Sequence, residues 1–190
     1  LNPLVLADFG RVEAKFKRMA KKVDPVAPWA HPDAERLDGQ TADDWIRRAA
    51  MTKTAREALA LCIRGVFSVE PADMSMLHWL FYIASAGGWD DLLNTAGGAQ
   101  QDRIVGGSQL ISIRMAEALG DRITLESPVS SIRLEDDGVI AGDLRAPRVI
   151  VALPPALART LQYEPALPSP RAQLTQRVPM GSVIKCFAVY

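Results

Sequence analysis

The sequence predicts a mixed fold, α+β or α/β, with helices gathered in the first half and strands in the second. Three observations predict it. Up to about residue 86, apolar residues recur at helical spacing. Beyond residue 122 the apolar runs shorten to strand length and are separated by turn residues. No segment repeats and no tract is of low complexity, so the change of character implies an α+β protein or two different domains.

The elements follow in order. Val12, Phe16, Met19 and Val23 lie between lysines and arginines, an amphipathic helix of about four turns. A proline-rich loop carries Pro25, Pro28 and Pro32. Thr41-Ala42-Asp43-Asp44 has the pattern of a capping box ahead of Trp45 and Ile46, so a second helix opens there. Residues 54–67 are apolar nearly all round, which predicts a buried third helix. Pro71 can occupy the first turn of a fourth over 72–86, and Gly87-Gly88 ends it. Ser108 can cap a helix reaching Leu119. Strands are expected at 123–126, 129–134, 139–144 and 148–153, with Asp136-Asp137-Gly138 as a hairpin turn. Pro154-Pro155 stops the last of these and starts a short helix over 156–161. A helix over 168–178 and a strand over 182–190 complete the reading.

Composition narrows the function classes. The chain has 190 residues, 48% hydrophobic and 23% charged, the balance of a globular protein with a sizeable core. Lys plus Arg number 22 and Asp plus Glu 22, which gives no reason to expect nucleic acid or an anionic membrane as partner. Cys62 and Cys186 sit in apolar runs far apart and read as buried thiols. His31 and His78 have no companions at metal-ligand spacing, so no metal site is expected. Leu1-Asn2-Pro3 does not open a signal peptide, and the expected compartment is the cytoplasm. The longest apolar stretch, about residues 76–86, falls short of the roughly 20 residues that span a bilayer. Both ends look cut rather than finished.

One residue stands out by periodicity. Lys185 shares a strand face with Val183, Phe187 and Val189. It is either an edge residue reaching water or a lysine buried for a purpose.

Several motifs bear on that choice. Arg177-Val178-Pro179-Met180-Gly181-Ser182-Val183-Ile184-Lys185-Cys186 closely resembles a segment of the flavin monoamine oxidases. Gly97-Gly98-Ala99-Gln100-Gln101-Asp102-Arg103-Ile104-Val105-Gly106-Gly107-Ser108 resembles that family's junction between substrate domain and flavin domain. Leu119-Gly120-Asp121 resembles the end of its next helix, and Val149-Ile150-Val151-Ala152-Leu153-Pro154-Pro155 a later strand with its closing double proline. These motifs stand in the family's order at similar spacing over nearly the whole chain.

The resemblance implies roles. Lys185 would be the catalytic lysine that meets the flavin N5 atom through a water. Gln100, or Gln101 if the register slips by one, would line the substrate cavity. Leu93 falls at the family's apolar gate, Gly65 and Val66 at the cavity wall, and Val129 where the backbone pairs with the adenine end of FAD. Residues 1–104 would belong to the substrate domain, 105–174 to the FAD-binding domain and 175–190 to the start of the substrate-domain sheet. The activity implied for the longer enzyme is oxidative deamination of a small-molecule amine with FAD and O2. The alternatives are a sibling flavoenzyme acting on polyamines, amino acids or a non-amine substrate, and a non-catalytic helical binding module. Read without the resemblance, Leu93, Val66 and Val129 are ordinary packing or strand residues, and Gln100 a solvated loop residue. The G-x-G-x-x-G fingerprint that cradles a dinucleotide pyrophosphate is missing, as is the family's pair of substrate-facing aromatic residues. The chain alone is therefore expected not to retain the flavin.

Overall fold

The computed structural model describes residues 2–190, which form two compact units: Leu1–Gly107 with Ser182–Tyr190, and Ser108–Gly181. Each is built around its own elements.

The first unit is helical. Helix α1 spans Pro3–Ala20, opened by the Asn2 side chain, which accepts the Leu4 N–H at 3.0 Å. It starts two turns before the apolar period does, because Asn2 and Pro3 supply the start signal and a polar residue, Asp8, continues the buried stripe of Val12, Phe16 and Ala20. Helix α2, Ala34–Asp38, is too short to show a period in the sequence. Helix α3, Ala42–Ala49, carries the expected capping box: the Asp44 N–H donates to Thr41 Oγ1 at 3.0 Å and the Thr41 N–H to Asp44 Oδ2 at 3.3 Å.

Helix α4, Lys53–Phe67, departs from the expectation of burial all round. Only Ala55, Leu59 and Ile63 are buried, while Leu61 is 68% exposed. One side packs in the core; the other carries Cys62, Gly65 and Val66 toward a surface depression. Helix α5 spans Met76–Ser85, not 72–86. Residues 74–75 are extended instead, pairing with 40–41: the Ala42 N–H donates to the Met74 carbonyl at 2.9 Å and the Met76 N–H to the Gln40 carbonyl at 2.9 Å. Ser75 then caps α5 by accepting the His78 N–H at 3.1 Å. Gly87, at φ 86°, turns the chain into helix α6, Trp89–Leu93.

Four aromatic rings fill the middle of this unit. Phe16 lies 4.7 Å from Trp79 and 5.0 Å from Trp89, and Trp45 lies 6.0 Å from Trp79, ring centre to ring centre. These are edge-to-face or tilted contacts of the favourable kind. They join α1, α3, α5 and α6.

The second unit is a small sheet with helices α7 (Gln109–Leu119), α8 (Pro155–Ala158) and α9 (Ser169–Arg177). Strands β1 (Ser131–Glu135), β2 (Gly138–Ala141) and β3 (Leu144–Ala146) form an antiparallel meander, and β4 (Gln162–Glu164) adds parallel to β1. The Asp136-Asp137 turn joins Glu135 to its ladder partner Gly138. Here the expectations need correction. Residues 139–144 are not one strand, since Gly142 at φ 60° breaks the run into β2 and β3. Residues 123–126 and 148–153 pair with no strand among the described residues; Leu125 is 79% and Ile150 92% exposed. Strand β4 was not foreseen, because three residues flanked by Pro165 carry no readable period.

The same physics governs 182–190. A strand exists only as one side of a hydrogen-bonded ladder, and this segment meets no neighbouring strand among the described residues. It carries no regular secondary structure and is exposed, Lys185 and Cys186 included, so neither the expected strand nor the expected buried Cys186 thiol is present.

Candidate functional site

Sequence reading placed Gly65 and Val66 on a helix and Gln100 in a loop, and the resemblance put Leu93 at an apolar gate. All four line one depression of about 470 Å³ in the helical unit, together with Cys62, Tyr82 and Leu92. Helix α4 contributes Cys62, Gly65 and Val66, which lie on one face because they are three and four residues apart. Tyr82 comes from α5, and its ring stands 4.7 Å from that of Phe67. Leu92 and Leu93 end α6.

The loop after α6 is folded back on it. The Ala99 N–H donates to the Asp91 carbonyl at 2.8 Å and the Gln100 amide Nε2 to the Leu92 carbonyl at 3.3 Å. The Gln101 side chain accepts the Gly97 N–H at 2.6 Å and so tightens the loop rather than lining the depression. A Cβ at position 98 would collide with the Asn94 carbonyl, which is why glycine stands there.

None of the seven lining residues carries a formal charge. Burial, and then the negative charge of Glu13, pushes the Cys62 thiol above its ordinary range, so it stays a neutral wall residue and not a nucleophile. Gly65 is the informative member. A glycine inside a helix costs about 0.5–1 kcal/mol relative to alanine. A Cβ built on it meets nothing within 4 Å, so no neighbour requires a glycine there; what its missing side chain leaves is room in the depression.

Sequence reading missed Cys62, Tyr82 and Leu92. Cys62 was within reach, being one turn before Gly65 and Val66; Tyr82 and Leu92 belong to other helices, and no local spacing marks them. Lys185 is not among the lining residues and stands in the exposed 182–190 segment. Val129 belongs to the second unit, in the stretch leading into β1, and is 40% exposed.

Comparison with known proteins bears on the chain as a whole. The sequence model of the family described as flavin containing amine oxidoreductase matches residues 6–190. The chain belongs to this family. Flavin-containing amine oxidase A of Equus caballus is 37% identical over 100% of this chain and 37% of its own length. Flavin-containing amine oxidase B of Mus musculus is 34% identical over the same shares. The chain thus spans little more than a third of these relatives. Among solved structures, cyclohexylamine oxidase from Brevibacterium oxydans IH-35A superimposes with a TM-score of 0.85 at 31% identity, covering 90% of this chain and 39% of that one. A putrescine oxidase bound to putrescine gives a TM-score of 0.84 at 34% identity, covering 93% and 40%. These relatives are oxidoreductases, and the family uses FAD. The mixed helix-and-sheet fold agrees with these neighbours.

The Val129 backbone N–H and carbonyl make no hydrogen bond to another described residue. The sequence offers no glycine-rich loop to hold the pyrophosphate.

Proposed function

We propose that the longer protein to which this chain belongs oxidises an amine to an aldehyde, consuming O2 and water and releasing ammonia and hydrogen peroxide. One observation carries the reading beyond family membership: an uncharged depression with space left open at Gly65. Such walls shed water from an alkyl or aryl group and offer a cation's charge no partner. They therefore suit the apolar part of a substrate whose amine lies elsewhere. Val66, Leu92 and Leu93 would bind that part, Leu93 as the gate. The Gln100 amide would orient it. Val129 would hold the adenine edge of FAD, and Lys185 would hold a water at the reacting face. Bound FAD supplies the two-electron acceptor. Residues 1–104 and 175–190 would serve the substrate domain and 105–174 the FAD-binding domain.

The test uses the full-length gene product. Peroxide release is followed over a series of amines from short alkyl to arylalkyl. Replacing Gly65 with Phe projects a ring into open space without a clash at Cβ. It is expected to depress kcat/KM for bulky amines relative to small ones by about 10- to 100-fold, within the range of pocket-size discrimination. Loss by an equal factor across the series would remove the depression from the substrate path, and no peroxide from any amine would remove the reading itself. Lys185→Met keeps the apolar stem and removes the amine. Turnover is expected to fall about tenfold or more with flavin content and Tm unchanged. A solvated lysine would leave kinetics untouched.

A further inference from the structure

A second depression, of about 480 Å³, shares no residue with the first. It is lined by Lys15 of α1, Arg36 of α2, Gln40, and Trp45, Arg48 and Ala49 of α3. Its character is opposite to that of the neutral cavity. Three cations face it and no carboxylate lines it.

The charge balance decides what it can take. Arg36 is matched by Asp33 at 3.1 Å. Asp43 is taken by Arg47 at 2.5 Å. Asp44 feels the charge of Arg48, but its oxygen is used by the Thr41 N–H at 3.3 Å. Lys15 lies over the Trp45 ring at 5.5 Å and, among the described residues, has no carboxylate within ion-pair distance. Nor has Arg48, whose Nη2 donates to Gln40 Oε1. Two cations are therefore without a salt-bridge partner among the described residues. The other end of the same amide, Gln40 Nε2, is buried with no acceptor.

We propose that the α1–α2–α3 depression is a binding site for a phosphate group. Phosphate carries about −1.5 to −2 at neutral pH, which matches these two cations. A carboxylate would leave one of them unpaired. The planar Arg48 fork suits phosphate oxygens, with one of its nitrogens held by Gln40 Oε1, and Lys15 adds a point charge. Inorganic phosphate and a phospholipid headgroup share this chemistry.

The experiment takes the full-length, flavin-loaded protein and titrates it with inorganic phosphate at constant ionic strength by isothermal calorimetry. Saturable binding is expected. Arg48→Gln and Lys15→Gln should each weaken it about tenfold, the scale of one charge-assisted hydrogen bond. Gln40→Met should weaken it less, and Arg47→Gln should leave it unchanged because Arg47 is held by Asp43 outside the depression. These are surface changes that should leave Tm in place. Acetate at equal ionic strength should bind clearly more weakly than phosphate. A parallel arm measures sedimentation with phosphatidylcholine vesicles, with and without phosphatidic acid. Retention only with phosphatidic acid, competed by inorganic phosphate and lost in Arg48→Gln, assigns the site to a headgroup; saturable free phosphate without retention assigns it to a soluble ligand. No saturable phosphate binding, affinity unaltered in both Arg48→Gln and Lys15→Gln, or acetate binding as tightly as phosphate overturns the proposal.

Discussion

Replacing Trp79 with Ala is expected to destabilise the helical unit by about 4 kcal/mol, the middle of the range for removing a large buried ring. Trp79 is fully buried. Its ring is in contact with Phe16 of α1, Trp45 of α3 and Trp89 of α6, at 4.7, 6.0 and 5.9 Å. Three helices would thus lose a common partner, and the surrounding rings cannot collapse into the hole without leaving their edge-to-face geometry. The indole Nε1 makes no hydrogen bond, so none is lost with it; the cost is transfer plus cavity. Typical net stabilities of domains are about 5–15 kcal/mol, so the loss is a large share. Trp29, 74% exposed, is the control, and its replacement by Ala should stay within about 0.5 kcal/mol. Urea unfolding followed by near-ultraviolet circular dichroism measures both. A Trp79→Ala loss below about 1 kcal/mol, no greater than that of an average substitution, would show that the four rings are not the keystone of this unit. Because α6 carries Leu92 and Leu93, the same variant is expected to loosen the depression that they line.

The helical unit was more legible than the sheet, for a physical reason. A helix satisfies its own backbone, so its signals are local: the capping box at Thr41 and the stripe through Val12 and Phe16 led directly to α3 and α1. A strand needs a partner, and partners are not encoded locally. The runs at 123–126, 148–153 and 182–190 have strand composition but no ladder, whereas Gln162–Glu164 has a ladder with β1 and little strand composition. Helix α5 was read too long because its first turn is diverted into the pairing of 74–75 with 40–41, a contact across more than thirty positions.

The site divides along the same line. The family resemblance singled out Gly65, Val66, Leu93 and Gln100, and the fold brings all four to one depression. No period or propensity would have selected them, since apart from the resemblance three of the four are ordinary apolar or small residues. Tyr82 and Leu92 enter only through tertiary packing of α5 and α6. The phosphate-site residues were invisible for another reason: Lys15, Arg36 and Arg48 each look like a solvated face on separate helices, and only the packing of α1, α2 and α3 gathers them.

Asp8 was also unmarked in the sequence, and the second large effect is expected there. Its side chain is 1% exposed on the buried face of α1. Oδ2 accepts the Met51 and Thr52 N–H groups at 2.9 and 2.7 Å and the Thr52 hydroxyl at 3.0 Å, while Oδ1 accepts Arg11 Nη2 at 2.7 Å. Asp8 therefore fastens α1 to the start of α4, whose own cap is Thr52. Burial alone would push this carboxyl upward, but the bonds from Thr52, Arg11 and Met51 outweigh it and hold it at about 2. Since the folded value lies below the ordinary 3.8, the stabilisation is complete above about pH 4 and is lost as pH falls toward 2. Its size is about 2 kcal/mol, the equivalent of the downward shift. Asp8→Ala also leaves two part-buried N–H donors without their acceptor and is expected to cost about 3 kcal/mol at neutral pH. Asp8→Asn keeps an acceptor but cannot titrate at this position, so its stability should fall less steeply than the parent's. Asp33, Asp44 and Glu70 also sit below their usual range, but their partners are at the surface and the contribution of each is screened. The difference between parent and Asp8→Asn therefore isolates one group. Urea midpoints measured from pH 6 down to pH 2 give that difference. It should shrink steadily below pH 4, and curves that stay parallel to the lowest pH would show that the Asp8 carboxylate is not what ties α1 to α4.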